Sequence, residues 1–271
     1  MLFDYLKHLK LNDAVLIGCS SQVVYEDLSS LRGKILSGIG DILGAKVALR
    51  LSQNIDIAKW LLVLDGLVET LLILPGDLGD DQESQLISDS RCKVILDDNF
   101  ELEINSEVSQ DFSHKVFDTE WLIATSGTTG SPKLVRHSLK SLVNTSKLGK
   151  QRFVWGLMYS LTRFAGIQVF LQAMISGNKM VIQETGYETQ KVMGLFKSND
   201  VDCLSGTPTL FRKLLMNESF LSLSLKNISL GGEIVEQGLL NTLMKTFSNA
   251  RVRHIYASTE AGVGFSVGDG R

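Results

Sequence analysis

Residues 121–143 read WLIATSGTTGSPKLVRHSLKSLV, and how this stretch is parsed decides the fold. WLIAT is a short apolar run bounded by a cluster of turn residues, which reads as a strand. The nine residues that follow from Thr125 to Lys133 carry five hydroxyl side chains, two glycines and one proline and end on a lysine. A helical stretch is expected after Lys133. Strand, loop and helix in that order make a βα step, the repeating unit of α/β proteins with mainly parallel sheets. Gly127 and Gly130 let backbone N–H groups turn toward a ligand, and Thr125, Ser126, Thr128, Thr129 and Ser131 place hydroxyl donors around the same point. Such a concave array favours an anion, and Lys133 adds a mobile positive charge suited to phosphate. The loop is not a Walker A loop, which needs four residues between its glycines and a lysine directly after the second. Taken alone, a Ser/Thr/Gly loop of this kind is also compatible with a polar turn and a solvated lysine.

Moving outward, the same alternation recurs. Strands are expected at AVLIG (14–18), KVALRL (46–51), KVILDD (93–98), KMVIQ (179–183), VDCLSG (201–206), NISLGG (227–232) and RVRHIY (251–256). Helical patterns lie between them, at residues 25–43, 57–74, 139–149, 165–175, 207–216 and 235–247. Thr207 before Pro208 is a good helix start, a capping hydroxyl followed by a proline at the first helical position. The most apolar run, WLLVLDGLVETLLIL (60–74), is read as one buried helix whose polar edge is Asp65 and Glu69 at i,i+4 spacing. Residues 99–118 are polar and weakly periodic and are expected to form an irregular connection, which could mark a subdomain boundary.

The 271 residues are 44% apolar and 21% charged, the composition of a globular α/β chain with a substantial core. A net charge of −3, from 27 basic and 30 acidic residues spread along the chain, argues against a nucleic-acid or anionic-membrane surface. Cys19, Cys92 and Cys203 lie far apart, with no zinc or disulfide spacing, and together with the absence of a secretory start they make the cytoplasm the expected compartment.

TSGTTGSPKLVRHS resembles the signature phosphate loop of the adenylate-forming (AMP-binding) superfamily, which includes acyl-CoA synthetases, adenylation domains of nonribosomal peptide synthetases and firefly luciferase. In that family the loop wraps the β- and γ-phosphates of ATP. HIYASTEAG (254–262) is similar to the second nucleotide motif. The resemblance implies that Tyr256 packs on adenine, Thr259 contacts the α-phosphate and Glu260 binds Mg²⁺, with Ala257 and Ser258 between them; Ala257 stands where the family usually has glycine. SLGGEIV (229–235) resembles the glycine-rich stretch that meets adenine through backbone atoms, here Gly231, Gly232 and Glu233. Lys133, Thr259 and Glu260 are thereby the expected catalytic set.

The family lines its acid pocket between these motifs. In YSLTRFAG (159–166) the resemblance points to Tyr159, Arg163, Phe164 and Gly166, with Arg163 approaching a carboxylate of the substrate. The plainer alternative pairs Arg163 with a surface carboxylate. His137 is read as a helix-start histidine bonded to nearby backbone, since an already ionised acid needs no base.

The resemblance covers most of the chain and implies the front part of the large domain of an adenylate-forming enzyme, an incomplete α/β domain of mainly parallel sheets with flanking helices. The family's later aspartate, hinge and small C-terminal domain are absent from these 271 residues. The implied reaction is attack of a carboxylate on the α-phosphate of ATP·Mg²⁺, giving an acyl-adenylate and pyrophosphate, the first half-reaction of an acid–thiol ligase. CoA or a carrier-protein phosphopantetheine is the implied acceptor, and no nucleic acid or membrane span is expected. The competing expectation is a truncated or split nucleotide-binding piece without turnover. A kinase-like α/β protein is disfavoured because neither a Walker-type loop nor an acceptor-side base is found.

Overall fold

The computed structural model describes residues 1–38, 41–100, 116–125, 132–143, 152–258 and 262–268, with the backbone path alone for 256–258 and 262–268. Thirteen described strands form two sheets. In chain order they are β1 (Ala14–Ile17), β2 (Gln22–Val24), β3 (Lys46–Arg50), β4 (Thr70–Ile73), β5 (Val94–Asp97), β6 (Glu120–Thr125), β7 (Lys133–Ser138), β8 (Val154–Leu157), β9 (Lys179–Ile182), β10 (Cys203–Gly206), β11 (Asn227–Gly231), β12 (Arg251–Ser258) and β13 (Gly262–Gly268). The described helices are α1 (Tyr25–Leu36), α2 (Asn54–Leu64), α3 (Asp80–Ser90), α4 (Leu139–Val143), α5 (Phe164–Ile175), α6 (Thr189–Ser198), α7 (Pro208–Leu214), α8 (Glu218–Leu221) and α9 (Gln237–Thr246). One sheet has the order β5-β3-β4-β6-β7 and the other β13-β12-β11-β10-β8-β9-β1-β2. All neighbours run parallel except the pairs β1–β2, β6–β7 and β12–β13. The mainly parallel α/β architecture expected from the sequence is therefore the one observed.

The apolar run at 60–74 is not one helix. α2 ends at Leu64, and after a turn the chain enters β4, a central strand whose four residues are all buried. Two contacts explain the break. Gly66 takes φ +85°, the left-handed region that favours glycine. Asp65, 2% exposed, accepts hydrogen bonds from Leu2 N at 2.7 Å and Trp121 Nε1 at 3.0 Å, so its side chain is committed to the core. Glu69 has a different role, an exposed ion pair with Lys46.

The stretch after Lys133 also differs from expectation. It is strand β7, antiparallel to β6 from Thr125↔Lys133 to Glu120↔Ser138, and helix α4 starts only at Leu139. Pairing with β6 satisfies the backbone groups that face β6, and Leu134 packs against the cluster containing Leu122 and Ala124. His137 is accordingly a strand residue, its ring 5.7 Å from that of Phe164 on α5.

A core of α2, α5, β4 and their neighbours joins the two sheets, with Trp60, Trp121, Phe170 and Met174 among its members. A second cluster under α6, α7 and α9 backs β10–β12 through Phe196, Phe211, Ile228, Leu230 and Leu243.

Candidate functional site

In parallel sheets the loops at the carboxyl ends of the strands gather on one edge, where ligands of open α/β folds bind. Here those loops follow β3, β4, β8, β9, β10 and β11, and side chains tie them to one another.

The turn after β8 is the most constrained. Tyr159 donates its hydroxyl to the carbonyl of Gly231 at 3.3 Å, linking the end of β8 to the end of β11. Burial pushes that phenol's pKa up, and the negative Glu233 nearby pushes it the same way. Gly166, in the first turn of α5, lies so close to the turn that a Cβ there would stand 2.0 Å from the Ser160 carbonyl oxygen. Phe164 is buried beside it. Arg163, half-exposed at the N-cap of α5, forms a fork with the Asp77 carboxylate at 2.7 and 2.5 Å. That ion pair joins the loop after β4 to the loop after β8.

At β11 the chain reaches Gly231 and then Gly232, whose φ is +82°. A Cβ on Gly231 would meet the Ile255 carbonyl oxygen at 3.4 Å and come within 3.9 Å of the Tyr159 hydroxyl. Those are ordinary contact distances, so at Gly231 it is the residue type, and at Gly232 also the positive φ, that leaves the backbone edge bare, which suits a flat ligand approached by main-chain atoms. Glu233 accepts from the backbone N–H and the hydroxyl of Thr209, at 3.0 and 2.7 Å, and so closes the first turn of α7. The Thr209 hydroxyl draws this carboxyl's pKa below its ordinary value, against an opposing effect of burial. Thr207 caps the same helix through Leu210 N, as its sequence predicts.

On the same face, one pleat further in, Ser205, Ser229 and Arg253 stand side by side in register. Both serines are buried, and burial draws the Arg253 guanidinium's pKa down. Among the described residues no carboxylate pairs with Arg253.

Thr125 and Lys133 face each other at the last rung of the β6–β7 ladder, with the Thr125 hydroxyl 3.4 Å from the Lys133 carbonyl. Lys133 is exposed. Ser126, Gly127, Thr128, Thr129, Gly130 and Ser131 lie outside the described residues, and so do Thr259 and Glu260. Tyr256, Ala257 and Ser258 are on β12, which pairs antiparallel with β13 up to Ser258↔Gly262. Among the described residues no group of three His, Cys, Asp or Glu side chains is placed to hold a metal, and no helix is long and apolar enough to cross a membrane.

Sequence reasoning missed two residues that shape this edge. Asn54 begins α2 and reaches across to the loops after β8 and β9. Asp77 holds Arg163. For Asn54 a signal existed, since a cap-type residue follows Ser52 and Gln53 just before an apolar run.

The family described as AMP-binding enzyme matches residues 72–271. A plipastatin synthase chain of Bacillus subtilis (strain 168) is 25% identical over 295 residues, covering 96% of this chain and 11% of that protein, so the chain spans about a tenth of that relative's length. The N-terminal subdomain of Klebsiella oxytoca NpsA, solved with 3-hydroxybenzoyl-AMSN, superposes with a TM-score of 0.81 at 15% identity over 98% of this chain and 74% of that one. The o-succinylbenzoate CoA synthetase of Bacillus subtilis, solved with the acyl-adenylate intermediate OSB-AMP, gives a TM-score of 0.77 at 18% identity over 98% of this chain and 60% of that one. At these identities the two solved structures speak for the fold alone.

Proposed function

Since the chain belongs to the AMP-binding enzyme family, we propose that it binds ATP·Mg²⁺ and activates a carboxylic acid to an acyl-adenylate with release of pyrophosphate. Its 271 residues then correspond to the front part of the large domain of an acid–thiol ligase. The observation that carries the reading is the Tyr159–Gly231 hydrogen bond, which sets the acid-side turn directly against the bare glycine edge.

Each group has a defined task. Gly231 and Gly232 let an adenine lie against backbone, with Glu233 fixing the glycine turn through Thr209 and Tyr256 supplying the opposing ring. The hydroxyl-rich loop from Thr125 to Gly130, Thr259 and the exposed Lys133 meet the phosphates. Glu260 is a hard oxygen donor of the kind Mg²⁺ prefers, and the ion would neutralise phosphate charge there. Tyr159, Arg163, Phe164 and Gly166 form the acid side, where Arg163, already turned to a carboxylate in Asp77, is suited to attract the substrate's acid group. Two anions must meet, so the residues' contribution is positioning and charge neutralisation rather than proton transfer. The acceptor that takes the acyl group is a thiol, of CoA or of a carrier-protein phosphopantetheine.

Titration calorimetry of ATP·Mg²⁺ into the 271-residue chain, paired with Lys133→Ala and Glu260→Ala, tests the reading. Binding weakened by both substitutions supports it. No binding to a chain shown to be folded refutes it for this protein as it stands.

A further inference from the structure

The loop after β3 belongs to the five-stranded sheet, and Ser52 N bonds Asp98 just after β5 of that sheet, yet its other side-chain and carbonyl bonds reach the loops of the second sheet. The Asn54 carboxamide uses both donors and its acceptor there. Nδ2 donates to the carbonyls of Tyr159 at 3.3 Å and Gln183 at 3.2 Å, and Oδ1 accepts from Leu161 N at 2.9 Å. Beside it, Gln53 Oε1 accepts from Thr185 N at 2.9 Å and the Ser52 carbonyl accepts from the Thr185 hydroxyl at 3.2 Å. Asn54 therefore grips the Tyr159–Leu161 turn from both ends, and the phenol of that same turn reaches the Gly231 carbonyl.

We propose that Asn54 is a positioning residue of the site: by fixing the Tyr159–Leu161 turn it fixes the Tyr159 hydroxyl on Gly231, and so aligns the glycine edge that meets the nucleotide. This rests on the proposed nucleotide-binding function. If Asn54 only held the sheets together, its bond to Gln183 would suffice, beside the Thr185 bonds that Gln53 and Ser52 already make. The two bonds to the turn, at Tyr159 and Leu161, instead set the direction of β8's exit just ahead of Arg163, the N-cap of α5. Asn54 suits the task because a carboxamide offers two donors and an acceptor on one short arm. An aspartate would keep the bond from Leu161 N but set a negative oxygen against two carbonyls.

The test is a double-substitution cycle on ATP·Mg²⁺ affinity by calorimetry, with melting temperatures alongside. A single hydrogen bond's worth of alignment predicts that Asn54→Ala and Asn54→Asp each weaken ATP·Mg²⁺ by about threefold to tenfold. Tyr159→Phe does the same, and the double variant Asn54→Ala/Tyr159→Phe is no weaker than either single one, because both break one chain of contacts. Thr185→Val, which removes a bond of the same brace without touching the turn, leaves affinity within about twofold. Asn54 variants that melt earlier but bind ATP·Mg²⁺ as the parent does, or effects of Asn54→Ala and Tyr159→Phe that multiply, overturn the proposal while leaving the function intact. A folded parent chain that does not bind ATP·Mg²⁺ at all overturns the functional reading, and the Asn54 role with it.

Discussion

Gly166→Ala adds one methyl group at the point where α5 crosses the turn after β8. The new Cβ would sit 2.0 Å from the Ser160 carbonyl oxygen, 2.7 Å from its carbon and 3.2 Å from Leu161 N. An ordinary carbon–oxygen contact begins near about 3.2 Å, so on the order of 1 Å of movement is required. The obstructing atoms are backbone, and no rotamer change removes them. α5 cannot supply the movement, because Ile167, Phe170, Leu171 and Met174 are fully buried along it. The turn must yield, and a shift of about 1 Å along the bond stretches the 2.9 Å contact from Leu161 N to Asn54 Oδ1 past hydrogen-bonding range.

Overpacking of this kind costs about 1–3 kcal/mol, against which alanine's advantage over glycine in a helix returns about 1 kcal/mol. The net loss is therefore about 0–2 kcal/mol, at about 2–4 °C of melting temperature per kcal/mol for a chain of this size. The effect on binding is expected to exceed the effect on stability, since the displaced turn carries Tyr159. Thermal unfolding combined with ATP·Mg²⁺ titration reads both. Gly194→Ala is the control: this glycine also lies within a helix, α6, nothing stands within 4 Å of its Cβ position, and alanine should be neutral or stabilising there. A Gly166→Ala protein that melts no lower and binds ATP·Mg²⁺ as tightly as the parent would refute the close-approach argument.

Asp65→Ala removes the carboxylate that receives Leu2 N and Trp121 Nε1 and leaves those two buried donors unpaired, so a loss of about 1–3 kcal/mol is expected in urea unfolding, and no measurable loss would show that both donors find other partners. Arg163→Met should raise KM for the acid far more than KM for ATP, and Asp77→Asn, which frees Arg163, should change KM for the acid without touching that for ATP; equal effects on both substrates sink the assignment. Glu233 has a folded pKa below its ordinary 4.5, so its contribution to stability is fully present above that value and is lost as pH falls through the lowered one. The stability difference between parent and Glu233→Gln should accordingly be flat above about pH 5 and shrink on acidification, by a small amount because the group is exposed; a difference that grows with acid contradicts the sign.

The eight strands that the sequence announced, from AVLIG to RVRHIY, all carry β-branched or apolar runs closed by turn residues, and they became β1, β3, β5, β6, β9, β10, β11 and β12. β4 was hidden because a fully buried parallel strand and a buried helix both read as unbroken apolar sequence, and only Gly66 marked the seam. β8 was hidden by Gly156, which weakens a strand pattern; its place is explained by the Phe196 ring, 2.6 Å from where a Cβ would stand. α3 escaped notice because only Leu86 and Ser90 of its eleven residues are buried. The candidate site shows the same division. Glycines, hydroxyls and the lysine announce themselves by type, because few residues can make a bare backbone edge or an anion cradle. Asn54 and Asp77 do not, since their roles arise from what the other sheet brings within reach. The Asn54 bonds to Tyr159 and Leu161 span more than a hundred residues, a separation at which local sequence carries no information about the partner. It follows that residues which align such a site are better sought among side chains that bond the backbone of a distant loop than among motifs, and that Asn54 is the place in this chain where that distinction can be put to measurement.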